Sequence, residues 1–244
     1  MGAYWTPEKI ENYKQASEYS SFHKKLSVLA EPFLDESWTL ADIGCGLGLI
    51  ENWLAPMVTS IDAIDVDEAA INDLKARLDD VYQTSKTVAE KVAPIIASID
   101  DLVGESWDVV TMSFLGLDEE VLGKVLPLAK RRVLIFMHGR PDAEGPLAAE
   151  DDGSKFTASD MEEFLVENNY IYKKTVMEMQ FGQPFKRIED IHAFLSACGI
   201  DGDDRRAIDA EERIIKTNRF DYPYYLPKSI NVALFIISVG KGEK

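Results

Sequence analysis

The chain has 244 residues, 46% of them hydrophobic and 28% charged, which suffices for one large domain with a substantial core. Its 43 acidic against 26 basic side chains leave a net charge of −17, a surface that repels nucleic-acid phosphates and anionic lipid. No apolar run approaches the ~18–20 residues of a membrane span, and the first residues lack the apolar core of a secretory signal. Two isolated cysteines, Cys45 and Cys198, form neither a disulfide framework nor a metal-ligand pair. The expectation is a cytoplasmic protein without a nucleic-acid or membrane partner.

Residues 11–34 read as helical, with Tyr19, Phe22, Leu26, Leu29 and Phe33 at three- and four-residue spacing. The period then changes. TLADIG (39–44) is a strand, three alternate glycines follow, and a helix starts at Leu49. SIDAIDVD (60–67) is a second strand, followed by a helix over 68–82 with Asp67 placed to cap it. Strands follow at 94–99 and 107–114, a helix at 118–129 and a fifth strand at 131–139. Residues 140–160, acidic and rich in Gly and Pro, read as a loop before a helix at 160–169. The last two strands, 170–181 and 230–240, flank two helices at 187–199 and 203–218. Strand–helix alternation of this kind implies an α/β fold, a parallel sheet with helices on both faces. A single domain accounts for the pattern: a helical cap (1–37), a core (38–181 and 229–240) and a helical insertion (182–228).

The stretch ADIGCGLGLIENWL (41–54) carries the chemistry. A strand running through glycines into a helix lets the backbone adopt positive φ, approach a ligand closely and offer unpaired N–H groups. The spacing is Gly44-x-Gly46-x-Gly48 with Leu49 next, whereas the dinucleotide fingerprint needs a small residue at that last position, so NAD fits less well. No Lys-Ser/Thr pair follows, which excludes a P-loop. Asp65, about twenty residues after the first glycine, ends the second strand and is placed to accept hydrogen bonds from a ribose hydroxyl pair.

ADIGCGLG resembles motif I of the class I S-adenosylmethionine-dependent methyltransferases, and seven strands in order extend the likeness over most of the chain. The resemblance implies a Rossmann-like three-layer sandwich: a seven-stranded, mostly parallel sheet with an antiparallel last strand inserted between strands five and six. It also implies the cofactor S-adenosyl-L-methionine, with S-adenosyl-L-homocysteine as product. Carried over position by position, Asp42 is the motif's acidic residue, and Gly44, Cys45, Gly46 and Gly48 pass under the methionine part. Asp65 binds the ribose with Val66 beside the adenine, and Ser113, ending strand four, lies near the methionine part. After strand three the family often has an acidic residue where this chain has Ser98, followed by Ile99; Ser98, Asp100 and Asp101 all remain open as the group facing the adenine.

Methyl transfer from a sulfonium needs a positioned nucleophile and exclusion of water, and a base only when the nucleophile arrives protonated. His138, following strand five, is the candidate base. Tyr4, Trp5, Tyr13, Tyr19, Phe22 and His23 supply the acceptor pocket from the N-terminal side. His192 reads as structural, and the aromatic run 220–228 serves as a lid or as the interface of a homodimer. Strand four lacks the Pro-Pro-aromatic ending of adenine- or glutamine-methylating relatives, and no Asp/Glu/His group has metal-ligand spacing. The expectation is a small-molecule methyltransferase. Its rivals are a non-catalytic or regulatory protein of the same fold and an NAD-dependent oxidoreductase.

Overall fold

Thr6 caps helix α1 (Pro7–Ser20), its side chain accepting the Lys9 N–H at 3.3 Å. The computed structural model describes residues 5–82, 85–139, 156–200, 202 and 204–239. The expected long N-terminal helix breaks at Ser21, which is left-handed at φ 53°, and restarts as α2 (Phe22–Ala30). The break turns Phe22 and Leu26 into the core.

Strand β1 (Thr39–Ile43) leads through the glycines into a short helix α3 (Glu51–Leu54), which gives way to a 3-10 turn at Pro56. Next come β2 (Ser60–Asp65), α4 (Glu68–Tyr82) and α5 (Lys86–Lys91), the last not anticipated. β3 spans Val92–Ile96 rather than reaching residue 99, because Ser98 and Asp101 form a capping box over the following turn. β4 (Trp107–Ser113) precedes α6 (Glu119–Val125), which stops short of Pro127, and β5 (Ala129–His138). α7 (Ala158–Glu167) and β6 (Ile171–Gln180) follow.

The expected helical insertion is mixed. β7 (Gln183–Phe185), α8 (Asp190–Ala197), α9 (Arg205–Glu212), β8 (Ile215–Lys216) and β9 (Tyr224–Leu226) build a separate three-stranded sheet, ordered β7-β9-β8 beside two helices. The helix expected through residue 218 ends at Glu212, since Ile215 and Lys216 pair instead with Tyr225 and Tyr224.

The main sheet closes with β10 (Ser229–Ser238), in the order β3-β2-β1-β4-β5-β10-β6. β10 runs antiparallel to both β5 and β6, and the remaining neighbours pair in parallel. Its unbroken apolar run suits a strand covered on both faces. The period of two sorts the side chains: Ala233, Phe235 and Ile237 face a core containing Leu122 of α6 and Met161 of α7. Val232, Leu234 and Ile236 face one containing Leu26 of α2 and Leu74 of α4. Helices therefore cover both faces, and the carboxyl ends of β1, β2, β4 and β5 lie along one edge.

Candidate active site

The turn after β1 holds three left-handed glycines, Gly44, Gly46 and Gly48 at φ 73°, 53° and 60°. The N–H groups of Gly44 and Cys45 both donate to the Ile64 carbonyl, at 2.8 and 3.0 Å, anchoring the turn to the end of β2. A Cβ on Gly48 would stand 2.7 Å from buried Leu74, so that position is closed by packing as well as by φ, while one on Gly44 would stand 2.8 Å from the exposed Leu115 side chain. Gly46 differs: a Cβ there would meet only the Trp5 ring, at 3.4 Å. Arg77 of α4 donates to the Leu47 and Gly48 carbonyls and to Asp73, which also receives Lys14 of α1 at 2.8 Å. One guanidinium thus braces the turn against two helices.

Asp65 closes β2 with its carboxylate against this turn. Its Oδ2 accepts the Gly46 N–H at 2.7 Å and its Oδ1 the Asp67 N–H at 2.8 Å. Each carboxylate oxygen has two lone pairs, so each keeps one for a hydroxyl donor. Asp67 caps α4 through Ala69 and Ala70 as its position predicts, and its other oxygen accepts the Trp5 N–H at 3.3 Å. Val66 is exposed beside them.

Beneath the turn lie two fully buried carboxyls, Asp42 of β1 and Glu51 at the start of α3. Thr111 of β4 donates to Asp42 Oδ1 at 2.7 Å. Asp42 Oδ2 and both Glu51 oxygens have no hydrogen-bond partner among the described residues, so these two neighbouring carboxyls can be joined only by a proton carried on one of them. Burial pushes Asp42 up to about 6, against the opposing effect of bonds from Glu51 and Thr111, and pushes Glu51 well above the usual carboxylate range with the Asp42 charge as second cause. Burial and the neighbouring Glu51, Asp42 and Asp65 charges raise the Cys45 thiol, keeping it protonated. Sequence reasoning missed Glu51; its one signal is an acid set among the apolar residues of LGLIENWL.

At the end of β4 the buried Ser113 Oγ has no partner. Phe114 follows in a left-handed conformation, φ 54°, costing a non-glycine residue about 1–2 kcal/mol. Strain of this kind is retained where surrounding structure holds it, often at functional sites. The Phe114 ring lies 5.2 Å from His138, exposed at the end of β5, and 5.8 Å from Phe22. After β3, the Ser98 N–H donates to Asp101 at 2.8 Å in the capping box, while Asp100 pairs with Lys124 at 2.9 Å. Ile99 packs against the core.

From the N-terminal side Trp5 covers Gly46, with Tyr13 edge-on to it at 5.3 Å and to Phe181 at 5.2 Å. His23 is buried among these rings, its Nδ1 2.6 Å from Ser17 Oγ and its Nε2 3.4 Å from the Tyr13 hydroxyl. Burial, aided by the Arg77 charge, pushes it down to about 3, so the imidazole is neutral at physiological pH. Trp5 therefore lies over the glycine turn, and Tyr13, Phe22 and His23 join it through one connected group of rings with Phe181. Tyr19 points elsewhere, stacked on Tyr225 at 4.6 Å and under Arg219, tying α1 to the insertion. Tyr4 lies outside the described residues. His192 sits on α8, 3.4 Å from Glu211 and away from this group. Among the described residues no cluster of three His, Cys, Asp or Glu side chains forms a metal site, and no helix is long and apolar enough to cross a membrane.

No sequence profile of a known family matches the chain, and no curated protein does. Solved structures do. A candidate methyltransferase from Bacillus halodurans superposes with a TM-score of 0.59 at 14% identity, over 91% of this chain and 100% of its own. The fold is that of the class I methyltransferases. A candidate RNA methyltransferase from Pyrococcus horikoshii matches at TM-score 0.54 and 14% identity, covering 98% of this chain and 93% of that one. The magnesium protoporphyrin IX methyltransferase of Synechocystis, with bound S-adenosylhomocysteine, matches at 0.53 and 12%, covering 97% and 89%. Identities this low establish the class I architecture, including the inserted antiparallel strand expected from the resemblance, and leave the acceptor to the site itself.

Proposed function

We propose that the chain transfers a methyl group from S-adenosyl-L-methionine to a small-molecule acceptor in the cytoplasm, with cap, core and insertion acting as one unit. The observation carrying this reading is the turn of three left-handed glycines set against Asp65, with the unpartnered Ser113 hydroxyl buried at the neighbouring strand end. These groups fit the cofactor. Gly44, Cys45, Gly46 and Gly48 let its methionine part approach the backbone; the spare Asp65 lone pairs suit the ribose hydroxyls; Val66, Ser98 and Ile99 border the adenine side. Leu49, where a dinucleotide fold needs a small residue, disfavours NAD.

When bound, the cofactor supplies an electrophilic methyl group on a positively charged sulfur. The chain's own residues then have to hold an acceptor and keep water out. Trp5, Tyr13 and Phe22 provide an apolar wall, and neutral His23, held between two hydroxyls, orients the Tyr13 hydroxyl as its polar point. His138, beside Phe114 at the strand edge, is the group to take a proton from an acceptor that arrives protonated. The charge of −17 opposes RNA, so a polyanionic acceptor is disfavoured whatever the structural neighbours act on.

The test is transfer of label from methyl-tritiated S-adenosylmethionine to a panel of phenols, amines, thiols and carboxylic acids, with total RNA alongside. Label in a small molecule supports the reading, and its loss in His138→Ala supports the base. Label in RNA alone overturns the acceptor class. Cofactor binding without any transfer identifies a non-catalytic binder.

A further inference from the structure

Glu51 is a buried acid to which the foregoing reading gives no task. It is fully buried beneath the glycine turn, and neither of its oxygens has a hydrogen-bond partner among the described residues. Two ionised carboxylates side by side and out of water repel one another too strongly to persist, so the pair holds one proton and one negative charge. The neighbouring strands and the turn contribute groups: Thr111 from β4 donates to Asp42, the Cys45 thiol lies in the turn, and the Asp65 carboxylate ends β2. Arg77 from α4 acts on Glu51 through its charge but is already engaged by the Leu47 and Gly48 carbonyls and by Asp73. The pair is thus a proton store directly under a turn built to receive a ligand.

We propose that Glu51 and Asp42 form a proton-sharing pair that reads the charge of the ligand above it, favouring a cationic sulfonium over the neutral thioether product. The inference rests on the cofactor assignment made above. Arrival of the cation favours the doubly ionised pair; the O–H bond of the shared carboxyl breaks and the proton leaves to buffer, with no redox change. Loss of the methyl group removes the cation, and the pair takes a proton back. The raised proton affinity of both carboxyls agrees with such a store. Glu51 acts here as a specificity-determining residue and touches no reacting atom.

The experiment is calorimetric titration of the full chain with S-adenosylmethionine and with S-adenosylhomocysteine at pH 7–9. Each titration is run in phosphate and in Tris, whose ionisation heats differ, on the wild type and Glu51→Gln. Gln keeps a donor for Asp42 and removes the titration, so subtracting its data cancels the ligands' own amino-group titration. The wild type should release more protons with the sulfonium, and its preference for that ligand should rise by about two- to tenfold per pH unit relative to Glu51→Gln. Equal proton release for both ligands, or an unchanged difference in Glu51→Gln, overturns the inference while leaving the cofactor assignment intact. If neither ligand binds the wild type, the assignment fails and takes the inference with it. Should Glu51→Gln not fold, Asp42→Asn serves as the reference for the same subtraction, and a difference between the ligands that is unchanged there overturns the inference.

Discussion

Glu51→Gln should flatten the dependence of stability on pH. The folded chain holds the Glu51 proton well above the ordinary value of 4.5, whereas the unfolded chain loses it there. The stabilisation from this group is therefore complete below the unfolded value and declines as pH rises towards the folded one. The decline is about 1.4 kcal/mol per pH unit for one proton. It continues until pH passes the folded value, a loss that counts against the ~5–15 kcal/mol stability of a typical domain. Asp42 adds a loss of the same sign between its ordinary 3.8 and about 6. Glutamine cannot ionise, and its amide donates to the otherwise unserved Asp42 Oδ2. Urea unfolding followed by circular dichroism at pH 5, 6, 7 and 8 checks this. The advantage of Glu51→Gln over the wild type should grow as pH rises from 5, by up to about 1.4 kcal/mol per pH unit. Parallel stability curves for the two proteins would refute the shared-proton description.

Other substitutions separate packing from binding. Gly48→Ala should destabilise by about 2–5 kcal/mol in the same assay, from a left-handed alanine and a Cβ driven against buried Leu74. Gly46→Ala should cost only about 1–2 kcal/mol in stability, because its Cβ meets Trp5 at ordinary contact distance, yet weaken cofactor binding more than its stability loss implies. Ser113→Ala should be neutral or slightly stabilising, since it removes an unsatisfied buried hydroxyl, and should weaken calorimetric cofactor affinity. Asp101→Ala should cost about 1 kcal/mol of stability as a lost cap, whereas Asp100→Ala, an exposed partner of Lys124, should stay within about 0.5 kcal/mol. In the proposed arrangement Ser98 and Ile99 border the adenine side, so neither substitution should change cofactor affinity more than about twofold.

What could be read from the residues alone follows from how local its cause is. Positive φ at Gly44, Gly46 and Gly48 is a property of single residues, and a strand ending in Asp65 with a cap at Asp67 follows from period and spacing, so the site's frame was visible. The strands β7, β8 and β9, only two or three residues long, exist through pairings such as Ile215 with Tyr225, ten residues apart, and carry no periodic signal. The helix break at Ser21 depends on Phe22 turning into the core rather than on any breaker residue. Glu51 was hidden for a related reason: a glutamate opening a helix ordinarily faces water, and only the fold places this one against Asp42. The partner of Asp100 likewise depends on α6, because Lys124 lies on a distant segment of the chain.

The most direct test of the central claim is calorimetry on ligand-stripped protein with S-adenosylmethionine, S-adenosylhomocysteine and NAD, wild type against Asp65→Ala. Under the proposed function, removing Asp65 takes away the acceptors for both ribose hydroxyls, and with them the anchor of the Gly46 N–H. Hydrogen bonds to a charged group are worth ~1.5–3 kcal/mol each and do not add fully, so the loss should be about 2–3 kcal/mol, roughly 30- to 150-fold in affinity. The account predicts that both sulfur ligands bind the wild type, that both weaken by this factor in the mutant, and that NAD does not bind. Absence of binding by either sulfur ligand, or affinity indifferent to Asp65, would contradict it.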